Sequence, residues 1–138
     1  MHQRYLLIVT ALAEVGTGLL LLLLPRFPLM LLLGIEQAAP EVGLISRVFG
    51  AALLAIGVAC WLARGDQRSP AQRGLVVGVL IYDVATTALL AYAGLGLGLV
   101  GIALWPAAAL HAVFAVWCVA CLWPTTQGKG AGTSGKIA

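Results

Sequence analysis

Charge is scarce in this chain. Five acids and eight bases in 138 residues make it only 9% charged, against 62% hydrophobic and a mean hydropathy of +1.03. Soluble domains carry about 25% charged residues, so water is not the main solvent here. Aromatics reach only 7%, and no basic patch interleaved with aromatics appears, which excludes nucleic acid as a partner. The formal net charge of +3 speaks instead to membrane orientation. Histidine occurs twice, at His2 and His111, and His2 is terminal, so a haem held by two histidines of one chain is excluded.

The three cysteines, Cys60, Cys118 and Cys121, all fall in apolar runs. None sits in a loop where an oxidised framework would form. Cys118-x-x-Cys121 resembles a redox motif in spelling alone, since buried cysteines usually behave as small hydrophobes. No phosphate loop, nucleophile elbow or serine-histidine-acid pattern is present.

What the chain has in abundance is apolar runs long enough to cross a bilayer, which takes about 20 residues per helix. The spacing predicts an all-α antiparallel four-helix transmembrane bundle with spans over 5–24, 44–63, 75–92 and 100–123. Leu29 to Ile35 is apolar but too short to cross, and is expected along the membrane interface as a lid between the first and second spans. Residues 125–138 read as a disordered cytoplasmic tail. A cleaved signal peptide is not expected, because Glu14 interrupts the first run and no small-x-small site precedes Pro25.

The first span has nine leucines with Ile8, Val9 and Val15. At about −0.3 to −0.6 kcal/mol each, these outweigh the roughly +2.5 to +3.5 kcal/mol of one central carboxylate. Glu14 can therefore enter the membrane. Thr10, Glu14 and Thr17 recur at helical spacing and are expected on one inward face. In the second span, Gly43, Arg47, Gly50, Leu54, Gly57 and Trp61 form a stripe whose glycines let a neighbour approach closely. The third span carries GxxxG spacing at Gly74 and Gly78, then Tyr82, Asp83, Thr86 and Thr87. The fourth has Ala108, His111, Ala112, Ala115 and Cys118 on one stripe, with Pro106 in its first turns, where proline is tolerated.

With the amino terminus inside, Arg4, Arg64, Arg68, Arg73, Lys129 and Lys136 are cytoplasmic, against Arg26 and Arg47 outside. The positive-inside rule thus places both termini in the cytoplasm, and a multi-pass protein of the bacterial inner membrane is expected. Tyr5, Trp61 and Trp123 would mark the inner interface, Tyr92 and Trp105 the outer one.

One ionisable residue per span, Glu14, Arg47, Asp83 and His111, is expected to meet inside the bundle, with Glu14 on Arg47, Asp83 on His111, and Tyr82 and Thr17 supplying hydroxyls. Intramembrane ionisable groups either fix helix register or mark ligand and proton paths. Both readings stay open at this point, as does the alternative that Arg47 snorkels to the headgroups. Glu14, Asp83 and His111 are acceptable metal-ligand types, but no paired-histidine or ExxH spacing supports a metal.

The strings GLLLLLLP, RVFGAALLAIGVACWLAR and LWPAAALHAVFAVW resemble small four-span bacterial membrane proteins of uncharacterised families. More distantly the chain is similar to the DoxX-like group, in which a glutamate in the first helix and an arginine leading the second recur, here Glu14 and Arg47. Some members of that group are associated with quinone-linked thiol or thiosulfate oxidation. The expected function is a non-catalytic accessory subunit or a binder of an apolar ligand, lipid or quinone. Its competitors are a subunit of a quinone-linked membrane oxidoreductase and an oligomeric proton-coupled transporter. Membrane lipids, a membrane protein partner or further copies of the chain are the expected partners.

Overall fold

A computed structural model describes residues 2–37, 39–66 and 69–123. Arg68, Lys129, Lys136 and the tail expected over 125–138 lie outside the described residues. Five helices follow one another: α1 (His2–Leu23), α2 (Arg26–Leu33), α3 (Pro40–Ala63), α4 (Pro70–Leu95) and α5 (Leu104–Leu122). Among the described residues four of these, all but α2, are long and apolar enough to cross a membrane. The chain is a small multi-pass integral membrane protein built as an all-α bundle.

Local residues set several of the helix boundaries. Pro40 and Pro70 stand at the first position of α3 and α4, where the missing N–H costs nothing and the fixed φ suits the helix. This starts α3 four residues before the expected span and α4 five residues before. Ser69 caps α4 by accepting from Gln72 N at 3.0 Å, and Gln72 is itself buried and donates to the carbonyls of Ala63 and Asp66 at 3.1 and 2.8 Å. The end of α3 and the start of α4 are thereby latched through one amide. Pro28 and Pro106 each fall in a first turn, so neither breaks its helix.

The crossing helices form a closed ring in which α1 packs on α3, α3 on α4, α4 on α5 and α5 on α1. The closest pairings are α1 with α3 and α4 with α5. Small residues set the first of these. A Cβ added at Gly50 would lie 2.7 Å from Gly18 O, and one at Gly57 would lie 2.7 Å from Val15 Cγ2 and 3.1 Å from Ala11 O. The two backbones touch, as in membrane pairs where packing replaces hydrophobic drive. By contrast, a Cβ at Gly74 or Gly78 meets nothing within 4 Å, so the GxxxG spacing of α4 is not used inside this chain.

Near the chain's amino-terminal end all four crossings contribute to an apolar plug of Leu6, Leu7, Ala11, Cys60, Val76, Val79 and Cys118. Gln3 Nε2 donates to Cys121 O at 3.0 Å, so the start of α1 and the end of α5 share this end. The opposite end is covered by α2. Gly34 ends α2 with φ of 71° and donates to Met30 O at 2.9 Å, a left-handed cap that suits glycine. Ala103 N donates to Leu31 O at 2.8 Å, and a Cβ on Gly101 would fall 2.2 Å from the Leu32 carbonyl. The expected lid is therefore an eight-residue helix bonded by its backbone to the α4–α5 connection.

Candidate functional site

Directly beyond the apolar plug lies a polar layer. Asp83 follows Val79 by one turn of α4, His111 precedes Cys118 by two turns of α5, and Glu14 follows Ala11 on α1. Glu14 and Asp83 are 3% and 1% exposed. These two carboxyls, on opposite members of the ring, are near enough to influence each other electrostatically.

His111 Nδ1 lies 2.7 Å from Asp83 Oδ1, the one close contact between basic and acidic side chains among the described residues. The Tyr82 ring meets the imidazole edge-on, with centroids 5.5 Å apart and planes at 84°. Tyr82 also lies near the Glu14 carboxyl and Thr86. Thr87 Oγ1 turns back on its own helix, donating to Asp83 O at 2.8 Å. Of the dyad, only His111 retains appreciable exposure, 16% of its side chain.

Two oxygens in this region are anomalous. Among the described residues, Asp83 Oδ2 and Thr10 Oγ1 are the buried side-chain polar atoms without a hydrogen-bond partner. Burying such an atom unpaired costs about 1–3 kcal/mol. In hydrocarbon no water offsets the loss, so a partner arriving from outside the chain would recover it.

The layer differs from the expected one in two members. Arg47 is exposed and does not meet Glu14. The register of α1 on α3 explains this: Gly50 lies against Gly18 and Leu21, and Gly57 against Ala11 and Val15. That pairing sets Arg47 level with the end of α1, roughly 13 Å along the axis from Glu14 at about 1.5 Å per residue. Side chains also lean toward their helix's amino end, which carries the guanidinium further away. Thr17 is likewise exposed. The buried stripe of α1 runs Thr10, Glu14, Gly18, Leu21, stepping by four to Gly18 because the α3 backbone comes in there. The layer thus draws on three helices, α1, α4 and α5, and α3 places Cys60 nearby.

Chemically, the arrangement has hydrogen-bonding capacity of both kinds. When Nδ1–H donates to the Asp83 carboxylate, His111 Nε2 is an acceptor in the neutral ring and a donor in the imidazolium. Tyr82 can give and accept. Among the described residues no three His, Cys, Asp or Glu side chains converge in a group that could hold a metal ion. No protein-family model, curated protein or solved structure matches this chain.

Proposed function

We propose that the chain is a membrane-embedded binding protein whose layer of Glu14, Tyr82, Asp83 and His111 receives the polar head of an apolar molecule of the quinone or quinol type. The observation that carries this reading is Asp83: one oxygen held by His111 and the other buried with no partner. A quinol hydroxyl satisfies such an acceptor, and a quinone carbonyl is satisfied by Tyr82 or by the protonated ring of His111. The ligand's tail would stay among the apolar side chains and lipid. The role is non-catalytic, that of a carrier or accessory subunit beside a larger membrane oxidoreductase, in keeping with the DoxX-like resemblance at Glu14.

A proton or solute path through a single copy is disfavoured by the apolar plug on one side of the layer. For orientation we infer that both termini are cytoplasmic in a bacterial inner membrane. Arg4, Arg64 and Arg73 stand at the plugged end, and Arg26 and Arg47 at the other, in line with the positive-inside rule.

The test is a titration of the purified full-length chain in neutral detergent with a short-tailed ubiquinone and its quinol. Saturable binding at one site, weakened about tenfold or more when Asp83→Leu and His111→Phe are combined, supports the reading. Absence of saturable binding, or binding indifferent to that pair of substitutions, removes it.

A further inference from the structure

At the end of the bundle away from the plug, a cleft of about 370 Å³ opens between α2 and α3, lined by Pro25, Arg26, Leu29, Pro40, Leu44 and Arg47 among others. We infer that this cleft binds the phosphate-bearing headgroup of an anionic membrane lipid. Its two arginines come from different helices and face one cavity, and among the described residues neither has an ion-pair or hydrogen-bond partner. Glu36 and Glu41 are near in sequence, but both are exposed, neither lines the cleft and neither pairs with an arginine. Two unpaired like charges on one cavity repel each other and are stabilised by an anion between them. Guanidinium groups suit phosphate, whose oxygens accept two parallel N–H bonds.

The walls decide between a lipid headgroup and a free phosphate ion. Leu29, Leu44, Pro25 and Pro40 are apolar, which fits a glycerol backbone and the first acyl carbons better than a hydrated ion. The depth agrees as well. Exposed Tyr92 and Trp105 stand at this same end, where aromatic side chains mark the headgroup level. Arg47 enters the cleft from within α3, one turn past Gly43, its stem leaning toward the amino end of the helix as helical side chains do. The arginine that the sequence assigned to Glu14 is thereby given another partner. The volume is at the lower end of ligand sites and suits a headgroup rather than a whole lipid.

The experiment uses the full-length chain in neutral detergent, titrated separately with dihexanoyl phosphatidylglycerol, dihexanoyl phosphatidylcholine and inorganic phosphate. Binding is read by calorimetry. The expected result is phosphatidylglycerol binding about tenfold or more tighter than phosphatidylcholine, with inorganic phosphate at least about tenfold weaker than phosphatidylglycerol. Arg26→Gln combined with Arg47→Gln abolishes the preference, and Arg26→Lys with Arg47→Lys retains part of it. Both side chains are exposed, so the variants keep their helix content, checked by circular dichroism. Equal affinity for the two lipids, or a preference that survives the glutamine pair, overturns the inference. Phosphate binding as tightly as phosphatidylglycerol overturns the lipid assignment.

Discussion

Asp83 and His111, 28 residues apart, join α4 to α5 by a 2.7 Å contact between Oδ1 and Nδ1 at the level where the bundle is closed below by apolar side chains. The carboxylate is wholly buried and the imidazole is partly open. In hydrocarbon such a pair is worth more as a pair than as two separate groups. Removing one partner leaves the other without compensation, whereas removing both leaves an apolar contact.

A double-mutant cycle is therefore expected to be strongly non-additive. His111→Phe leaves both oxygens of Asp83 unpaired and should cost about 1–3 kcal/mol. Asp83→Leu alone should cost a similar amount, and the combined variant less than the sum of the two. Reversible unfolding in mixed micelles measures all three, and additive costs would show that the contact is incidental.

The glycines of α3 and α4 should respond oppositely to the same change. Gly50→Ala forces a Cβ to within 2.7 Å of the Gly18 carbonyl oxygen, so α1 and α3 must separate, at about 1–3 kcal/mol. Gly78→Ala meets open space and removes backbone entropy from the unfolded chain, giving a gain of about 0.4–1 kcal/mol. Thermal unfolding of the two variants should move in opposite directions. Should Gly78→Ala destabilise instead, that face packs against something outside the chain.

The latch between α3 and α4 is a third point of test. Ser69→Ala removes the cap on Gln72 N and should cost about 1 kcal/mol. Gln72→Leu leaves the carbonyls of Ala63 and Asp66 without its amide and should open the connection to proteolysis. Limited trypsin digestion at Arg64 and Arg73 reads this directly; unchanged cleavage rates in both variants would mean the turn is held by other contacts.

Orientation is tested by single cysteines placed in a background lacking Cys60, Cys118 and Cys121. Gly65→Cys, in the α3–α4 connection, should be labelled by a membrane-impermeant maleimide only after cells are opened. Leu97→Cys, in the α4–α5 connection, should be labelled in intact cells. The reverse pattern would invert the topology.

The four crossings were legible because each is a long apolar run bounded by proline, glycine or charge. Asp83 facing His111 was legible too, since each lies on a stripe of small or polar residues in neighbouring antiparallel helices. The place of Arg47 was not. Spacing within α3 tells which residues share a stripe, but the slide of α3 along α1 is fixed by where Gly50 and Gly57 let two backbones touch, which is a property of both helices together. The same contact turns Thr17 outward. For Gly74 and Gly78, a spacing suited to close packing stands on a face that this chain does not use.

The central claim, that the polar layer holds the head of an apolar ligand, is tested most directly by mass spectrometry of solvent extracts from the purified protein. Wild type should carry a quinone or quinol in substoichiometric to stoichiometric amount. The variant combining Asp83→Leu with His111→Phe, its helix content checked by circular dichroism, should carry far less. Equal ligand in both proteins, or none in either, would contradict the claim and leave the layer as a contact that only fixes helix register.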